Sequence, residues 1–449
     1  MAKLNRTLSL QDAISIVAGS MIGSGIFIVS ADISRQVNNA WLVIIVWLLA
    51  GFITFCGALC YGELSSSIPD EGGQYIYLKK IFSEKLAFIY GLTLFLVIQT
   101  GTLAAVNIAF AKFLGLIFPY LSSTNYIFLN ISTQQLFAVL VVILLTFVNS
   151  RGVKQGILVQ NLFTITKILS ILAIIICGIF FGAKFSTISQ NFSFSNINFS
   201  FDYNLIRILL VAIVGALFSS ITWNNVTFIT SEIKKPKRNI PKALIIGTLL
   251  VISLYFLINM VYLSTLPLEL IKTANEDIVA ATLINQIFGE KAKIFIATII
   301  AISAFGCANG MILTGSRVYY KMAKDKIFFR KLAYINRRTK VPENSLWLQC
   351  LWICILILWG NYSQLLDYVI YASLIFYIIT IAGIFKLRKE ITLTRKIFRI
   401  PTFFPVAFLI LSSLVIIALT FYKPLYTLPG LLITLLGFPV YDLWKKNKK

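Results

Sequence analysis

Apolar residues in this chain neither alternate nor keep to a narrow helical stripe. They run in continuous blocks, most of them about 20 residues or longer, separated by short polar stretches. A helix needs about that length to cross the hydrocarbon of a bilayer. Twelve such blocks can be read, over residues 11–34, 40–64, 86–115, 134–149, 156–182, 205–231, 242–266, 294–317, 345–360, 363–386, 403–422 and 425–443. Strand-sized alternating pieces are absent, so the pattern predicts an all-α integral membrane protein and not a barrel.

Two of the blocks are interrupted. The first contains AGSMIGSGIF (18–27), with three glycines and two serines in its middle, where each glycine weakens a helix by roughly 0.5 to 1 kcal/mol. Gly19 and Gly23 form a G-x-x-x-G pair, which close helix packing alone would explain. The denser GSMIGSG cluster fits a broken helix better. The sixth block carries GALFSSITWNNVTFIT (215–230), in which Ser219, Ser220, Thr222, Asn224 and Asn225 do not share one face at a 3.6-residue period. Interruptions at corresponding places five spans apart are what a transporter built from inverted repeats predicts, because discontinuous helices expose backbone donors and acceptors near the midplane.

One charge lies deep in a block. Lys167 is about ten residues, or roughly 15 Å, into the fifth, too far to snorkel easily. A mid-membrane charge costs about 2.5 to 3.5 kcal/mol even on the lenient scale, so Lys167 reads as a functional residue.

Composition agrees with the membrane assignment: 58% hydrophobic, 13% charged, mean hydropathy +0.86. The excess of 40 Lys and Arg over 17 Asp and Glu would suggest nucleic acid if it formed one patch. Instead it alternates from loop to loop, with 31 of the 40 in one set of connections and eight in the other. The positive-inside rule then predicts cytoplasmic N- and C-termini and an even number of spans. The short basic start lacks an A-x-A site and runs straight into further membrane, so no cleavable signal is expected. Six cysteines all fall within apolar blocks and the chain has no histidine; they read as small buried hydrophobes, with no metal site and no cofactor. An intramembrane enzyme is disfavoured for the same reason, since no base or carboxylate pair lies in the core spans. N-x-S/T triplets such as Asn191 to Ser193 read as chance occurrences.

GSMIGSGIF resembles the first-helix motif of the amino acid-polyamine-organocation superfamily, and YGELSSSIPDEGGQYIYL (61–78) is similar to the signature that follows it. WNNVTFITSEIKKPKRNIPKA (223–243), FGCANGMILTGSR (305–317), and RIPTFFP with GLLITLLGFPVYDLW continue the match in order over essentially the full length. The resemblance is in particular to the L-amino acid transporter branch and its bacterial serine/threonine exchanger relatives.

That resemblance implies a LeuT-type core of two inverted repeats, about 11–182 and 205–388, within a transporter core 1–402, followed by helices eleven and twelve and a cytoplasmic tail over 403–449. It implies a multi-pass protein of the cell membrane that moves amino acids by alternating access. Met21, Ser24 and Gly25 correspond to first-helix substrate contacts, their N–H groups holding the amino acid carboxylate. Phe218 and Ser219 correspond to the sixth-helix contacts that meet the ammonium and cover the substrate. Gly19, Gly23 and Asn224 support the two breaks. Lys167 occupies the place where sodium-coupled relatives hold a cation, which implies sodium-independent exchange. Eukaryotic members pair with a glycoprotein through a cysteine between helices three and four; FPYLSSTNYIFLNISTQQ (118–135) has none, which argues against a disulfide-linked partner. Where the branch has small residues before the Trp-Asn pair, this chain reads Ser220, Ile221, Thr222. Ile221 therefore points to small neutral L-amino acids. Competing readings are a cationic amino acid or polyamine antiporter, a proton-coupled symporter and a sensor that binds without transporting. The first would want buried carboxylates, which helices one, three, six and eight do not carry in their interiors.

Overall fold

The computed structural model describes residues 4–128, 131–193, 203–274, 277–289, 292–359, 362–390, 398–422 and 424–446. Its longer helices are α1 (Leu10–Met21), α2 (Gly25–Val37), α3 (Ala40–Ser67), α4 (Gln74–Ile81), α5 (Glu84–Gly115), α6 (Thr133–Ser150), α7 (Val153–Gly182), α8 (Tyr203–Ser219), α9 (Pro236–Thr265), α10 (Val279–Phe288), α11 (Ala292–Lys324), α12 (Glu343–Trp359), α13 (Tyr362–Glu390), α14 (Phe403–Tyr422) and α15 (Pro424–Lys446). The only sheet among the described residues is a small hairpin, Tyr126–Phe128 with Ile131–Ser132, in the loop between α5 and α6.

Local chemistry sets several helix starts. Ser9 and Asp12 form a capping box at α1 and Ser132 and Gln135 form another at α6, while the Asn39 side chain accepts from the amides of Trp41 and Leu42 at α3. Among the described residues nine helices are long and apolar enough to cross a bilayer, and α1 with α2, bent by 41° at the break, make a tenth. The expected ninth and twelfth spans form helices, α12 and α15, but are not among these ten.

The first break is a true interruption of α-helix, between Met21 and Gly25. The second is gentler. α8 stops at Ser219, Thr222 takes up a left-handed conformation at φ 77°, and the span continues in tight 3₁₀ turns from Trp223 to Glu232, kinked at Ile229. The interrupted spans lie against each other, α2 packing on α8 and α1 on the 3₁₀ segment. Around them α3 packs on α9, α5 on α11 and α6 on α12. α7 shows how the hydrophobic pattern orients a span. Leu158, Leu162, Ile165 and Leu169, spaced at helical intervals, are 57 to 67% exposed, whereas Lys167 is 0% exposed and faces the bundle.

Two buried ion pairs close one end of the bundle. Glu63 of α3 accepts from Arg388 of α13 at 2.7 and 2.8 Å and also from the Ile400 amide. Glu232, at the end of the 3₁₀ segment, accepts from Arg317 of α11 at 2.9 Å, and both side chains are fully buried. The N-terminal arm is strapped across this second pair: the Leu8 amide donates to the Glu232 carbonyl and the Lys234 amide to the Leu8 carbonyl.

Removing one member of a buried pair leaves an uncompensated charge, which costs about 3–5 kcal/mol, whereas replacing both with apolar residues is often neutral. Glu232→Ala is therefore predicted to destabilise the protein strongly, and Glu232→Leu with Arg317→Met to recover most of the loss. Thermal unfolding of the purified variants measures both; a double variant as unstable as the single would refute this account.

Candidate functional site

The break in the first span creates a supply problem. A helix end leaves its last carbonyls without intrahelical donors, and here they lie inside the bundle, where an unpaired polar group is costly. The Ile22 amide closes back on the Ala18 carbonyl at 2.9 Å. The next five carbonyls each receive a side-chain donor from elsewhere in the chain. Lys167 of α7 donates to Gly19 and Ile22 at 2.6 and 2.7 Å. Thr222 and Cys307 donate to Ser20 at 2.8 and 2.9 Å. Tyr255 of α9 lies 3.1 Å from the Met21 carbonyl, and Ser303 of α11 reaches Ile22 and Gly23 at 3.3 and 3.1 Å.

Lys167 has three ammonium hydrogens and three carbonyl acceptors, the third being Ser303 at 3.2 Å. The charge sits at the C-terminal end of α1, where the helix dipole is negative. Gly19 gives α7 its close approach: a Cβ there would collide with Thr164 and Gln160. Those side chains also bind the Ser15 carbonyl, and Gln160 continues through Asn309 to Asn149. α1 is thus clamped to α7 along its length.

On the far side of the break α2 begins with free geometry. Ser24 is the N-cap, is buried, and makes no side-chain cap bond; the first-turn amides of such a helix point outward and favour an anion. Gly25 is the point of contact between the broken spans, since a Cβ there would sit 2.5 Å from Ser219 Oγ and 3.1 Å from Ser219 Cα. Tyr255 ties the same two spans together, its hydroxyl lying 3.1 Å from the Ser219 carbonyl as well as from Met21. The structure therefore brings Gly19, Met21, Gly23, Gly25, Ser219 and Lys167 into one neighbourhood.

Ile221 and Asn224 lie to one side. Asn224 accepts from the Tyr377 hydroxyl at 3.0 Å and approaches Gln74 at 3.5 Å. With Gln99, Asn225 and Ser373, and with Leu94, Ile98 and Phe228 on its apolar side, these residues line a cavity of about 10 Å³, enough for about one water. The Asn225 amide nitrogen is buried there without a partner. A second cavity of about 20 Å³ is mostly apolar, walled by Ile53, Leu217, Trp223 and Phe408. Ile221, Ser373 and Tyr377 belong to both. Phe218 is half-buried and lines neither.

Sequence reasoning passed over Tyr255, Ser303 and the Glu232–Arg317 pair. Cys307 is buried, as expected of an apolar filler, but its thiol is also a donor to the break. Ser303 and Cys307 are four residues apart on one helix face, and that spacing was the available signal. Asn191 is buried too, its amide consumed by the Leu263 and Leu266 carbonyls and the Leu268 amide, which leaves no carboxamide free for a glycan. No group of three or more metal-binding side chains occurs among the described residues.

Comparison with known proteins gives a consistent result. The family model described as amino acid permease matches residues 8–435. The human large neutral amino acids transporter small subunit 2 is 30% identical, over 99% of this chain and 82% of its own. The serine/threonine exchanger SteT of Bacillus subtilis is 28% identical, over 99% and 98%. The mouse b(0,+)-type amino acid transporter 1 is 28% identical, over 92% and 82%.

Lys167→Ala removes a donor from three buried carbonyls at once; Ile22 keeps Ser303, but Gly19 loses the side-chain donor described above, at about 1–3 kcal/mol for an unsatisfied buried carbonyl. The variant is predicted to insert normally, to melt at a lower temperature and to lose most of its flux of labelled amino acid in proteoliposomes. Wild-type flux and melting temperature would mean that Lys167 is merely tolerated in the span.

Proposed function

The chain belongs to the amino acid permease family, and on that premise we propose that it exchanges small neutral L-amino acids, independently of sodium, by alternating access. Membership makes it a multi-pass membrane protein that transports amino acids, and not an enzyme. The finer reading is built on particular contacts.

The architecture proposed is twelve spans in two inverted repeats, about 11–182 and 205–388, with both termini on the cytoplasmic side. It is supported by the way spans five apart pack on each other: second on seventh, third on eighth and fourth on ninth, with the broken first and sixth crossing between them. An inverted pair of repeats would produce such pairing. The orientation rests on the uneven distribution of Lys and Arg.

The observation that carries the substrate reading is the meeting of the two breaks at Gly25 and Ser219. There the outward-pointing amides of α2 suit a carboxylate, while the carbonyl ends of α1 and α8 suit an ammonium. Lys167, held by Gly19, Ile22 and Ser303, fills with its own charge the position a coupling cation would need, which favours sodium independence. The side chain of the substrate would extend toward the cavities beside Ile221. Their lining is amide, hydroxyl and apolar, with no carboxylate to attract a cationic side chain. The SteT relative is named for serine and threonine, in keeping with that size and polarity. No cysteine stands in residues 118–135 to link a heavy subunit of the kind we would expect for eukaryotic members.

Ile221 lines both cavities, and overfilling a packed site typically costs about 1–3 kcal/mol. Wild-type counterflow of labelled serine is predicted to be inhibited by alanine and threonine more strongly than by leucine or phenylalanine, and to be unchanged when sodium is replaced by choline. Ile221→Gly joins the two spaces and should move inhibition toward the larger amino acids. Each methylene is worth only about 1 to 3 kcal/mol, so the shift is graded. An unaltered competition profile, or a wild type already preferring phenylalanine, would contradict the assignment.

A further inference from the structure

At the end of the bundle closed by the buried ion pairs there is an open basin of about 1510 Å³. Its walls come from separate parts of the chain: the N-terminal arm, the turn before α4, α4 itself, the end of α11 and the segment that follows it. Three carboxylates line it, and each is already engaged. Asp325 accepts from Tyr75, Lys79 and Lys321, all at 2.9 Å. Glu71 pairs with Lys324 at 2.9 Å, and Asp70 pairs with Lys80. Burial alone would raise the Asp325 carboxyl, but the hydrogen bonds from Lys79, Lys321 and Tyr75 hold it below the ordinary carboxylate range. It therefore stays ionised and fixes the two lysines around it.

Four more cations, Arg6, Lys326, Arg330 and Arg337, line the same basin, and none forms an ion pair with a carboxylate among the described residues. A general excess of basic loops explains how many charges lie on this face. It does not explain why unpaired ones from separate segments converge on one hollow, since like charges in proximity repel unless an anion lies between them. Basic pockets at this level of a membrane protein suit phosphate headgroups, and guanidinium groups bind phosphate through two parallel hydrogen bonds.

We infer that this basin binds a phosphate-bearing anion, either the headgroup of an acidic phospholipid or a soluble polyphosphate, held by Arg6, Lys326, Arg330 and Arg337. The site adjoins the elements that close this end of the bundle. Arg6 lies two residues before Leu8, which pairs with the strand-like segment at Ile233. Lys321 lies one turn beyond Arg317, the partner of Glu232. An anion gripping both arms would brace the N-terminal segment against α11 and hold that end shut. This site is separate from the proposed substrate site and does not depend on the substrate assignment.

The test is thermal unfolding of the full-length protein in detergent, titrated separately with pyrophosphate, ATP, short-chain phosphatidylglycerol and short-chain phosphatidylcholine. A ligand that binds only the folded state raises the melting temperature. The expected result is a rise with at least one anionic probe and none with phosphatidylcholine. A response to phosphatidylglycerol alone assigns the site to lipid, and a response to pyrophosphate or ATP alone assigns it to a soluble anion. Combining Lys326→Gln, Arg330→Gln and Arg337→Gln, all exposed side chains, should weaken apparent affinity roughly a hundredfold at about 1 kcal/mol per charge. High salt should weaken wild-type binding as well, a readout that needs no variant. No response to any anionic probe, a triple variant that responds as the wild type does, or binding indifferent to salt would each overturn the inference.

Discussion

The constraint on which the rest of this structure depends is the need to satisfy five consecutive carbonyls, Gly19 to Gly23, in the middle of a bundle. In water such an interruption would be trivial, because solvent would supply donors. Inside the bundle the donors must come from side chains, and they come from α7, α9, α11 and the turn after α8. Packing follows from that requirement. α7 must approach closely enough for a lysine to reach, which requires Gly19; α11 must present Ser303 and Cys307 on one face; α9 must bring Tyr255 to the seam between the broken spans. The break weakens one helix locally, and its repair fixes the positions of four other elements.

A second tier of polar contacts holds this arrangement from outside. Ser30 of α2 donates to Asn259 of α9 at 2.6 Å, and Arg35 near the end of α2 reaches Asp277 at 2.6 Å on the face opposite the buried ion pairs. α1 packs on α7, on α9 and at the Glu232 end, whereas α2 packs on α8 and reaches α9 through Ser30 and the opposite face through Arg35.

How much of this was legible in the sequence depended on whether the signal was local. Hydropathy located the spans because burial in lipid acts on every residue of a block, and the glycine cluster marked the first break because its cost is paid residue by residue. The depth of Lys167 in its block singled it out for the same reason. The 3₁₀ geometry after Thr222 was not legible, since Trp223 to Glu232 has no composition that distinguishes a tight helix from an α-helix. Tyr255 was invisible because a tyrosine in an apolar span is ordinary until its partner carbonyls are known. Glu232 and Arg317 stand in different motifs, 85 residues apart. Nothing short of the fold joins them.

The hydroxyl of Tyr255 carries one hydrogen and faces two carbonyls at the same distance, Met21 and Ser219. At any instant one of those oxygens is left without a proton from it, so the junction has two equivalent arrangements and is fully content in neither. This is a shortage of donors built into the seam, at the place where the ends of both interrupted helices meet. A visiting group that brings several hydrogens of its own, as an ammonium brings three, would relieve the shortage rather than compete with a bond already made. Replacing the phenol with phenylalanine would leave both oxygens bare and increase the deficit, whereas most such substitutions in a lipid-facing span would remove nothing.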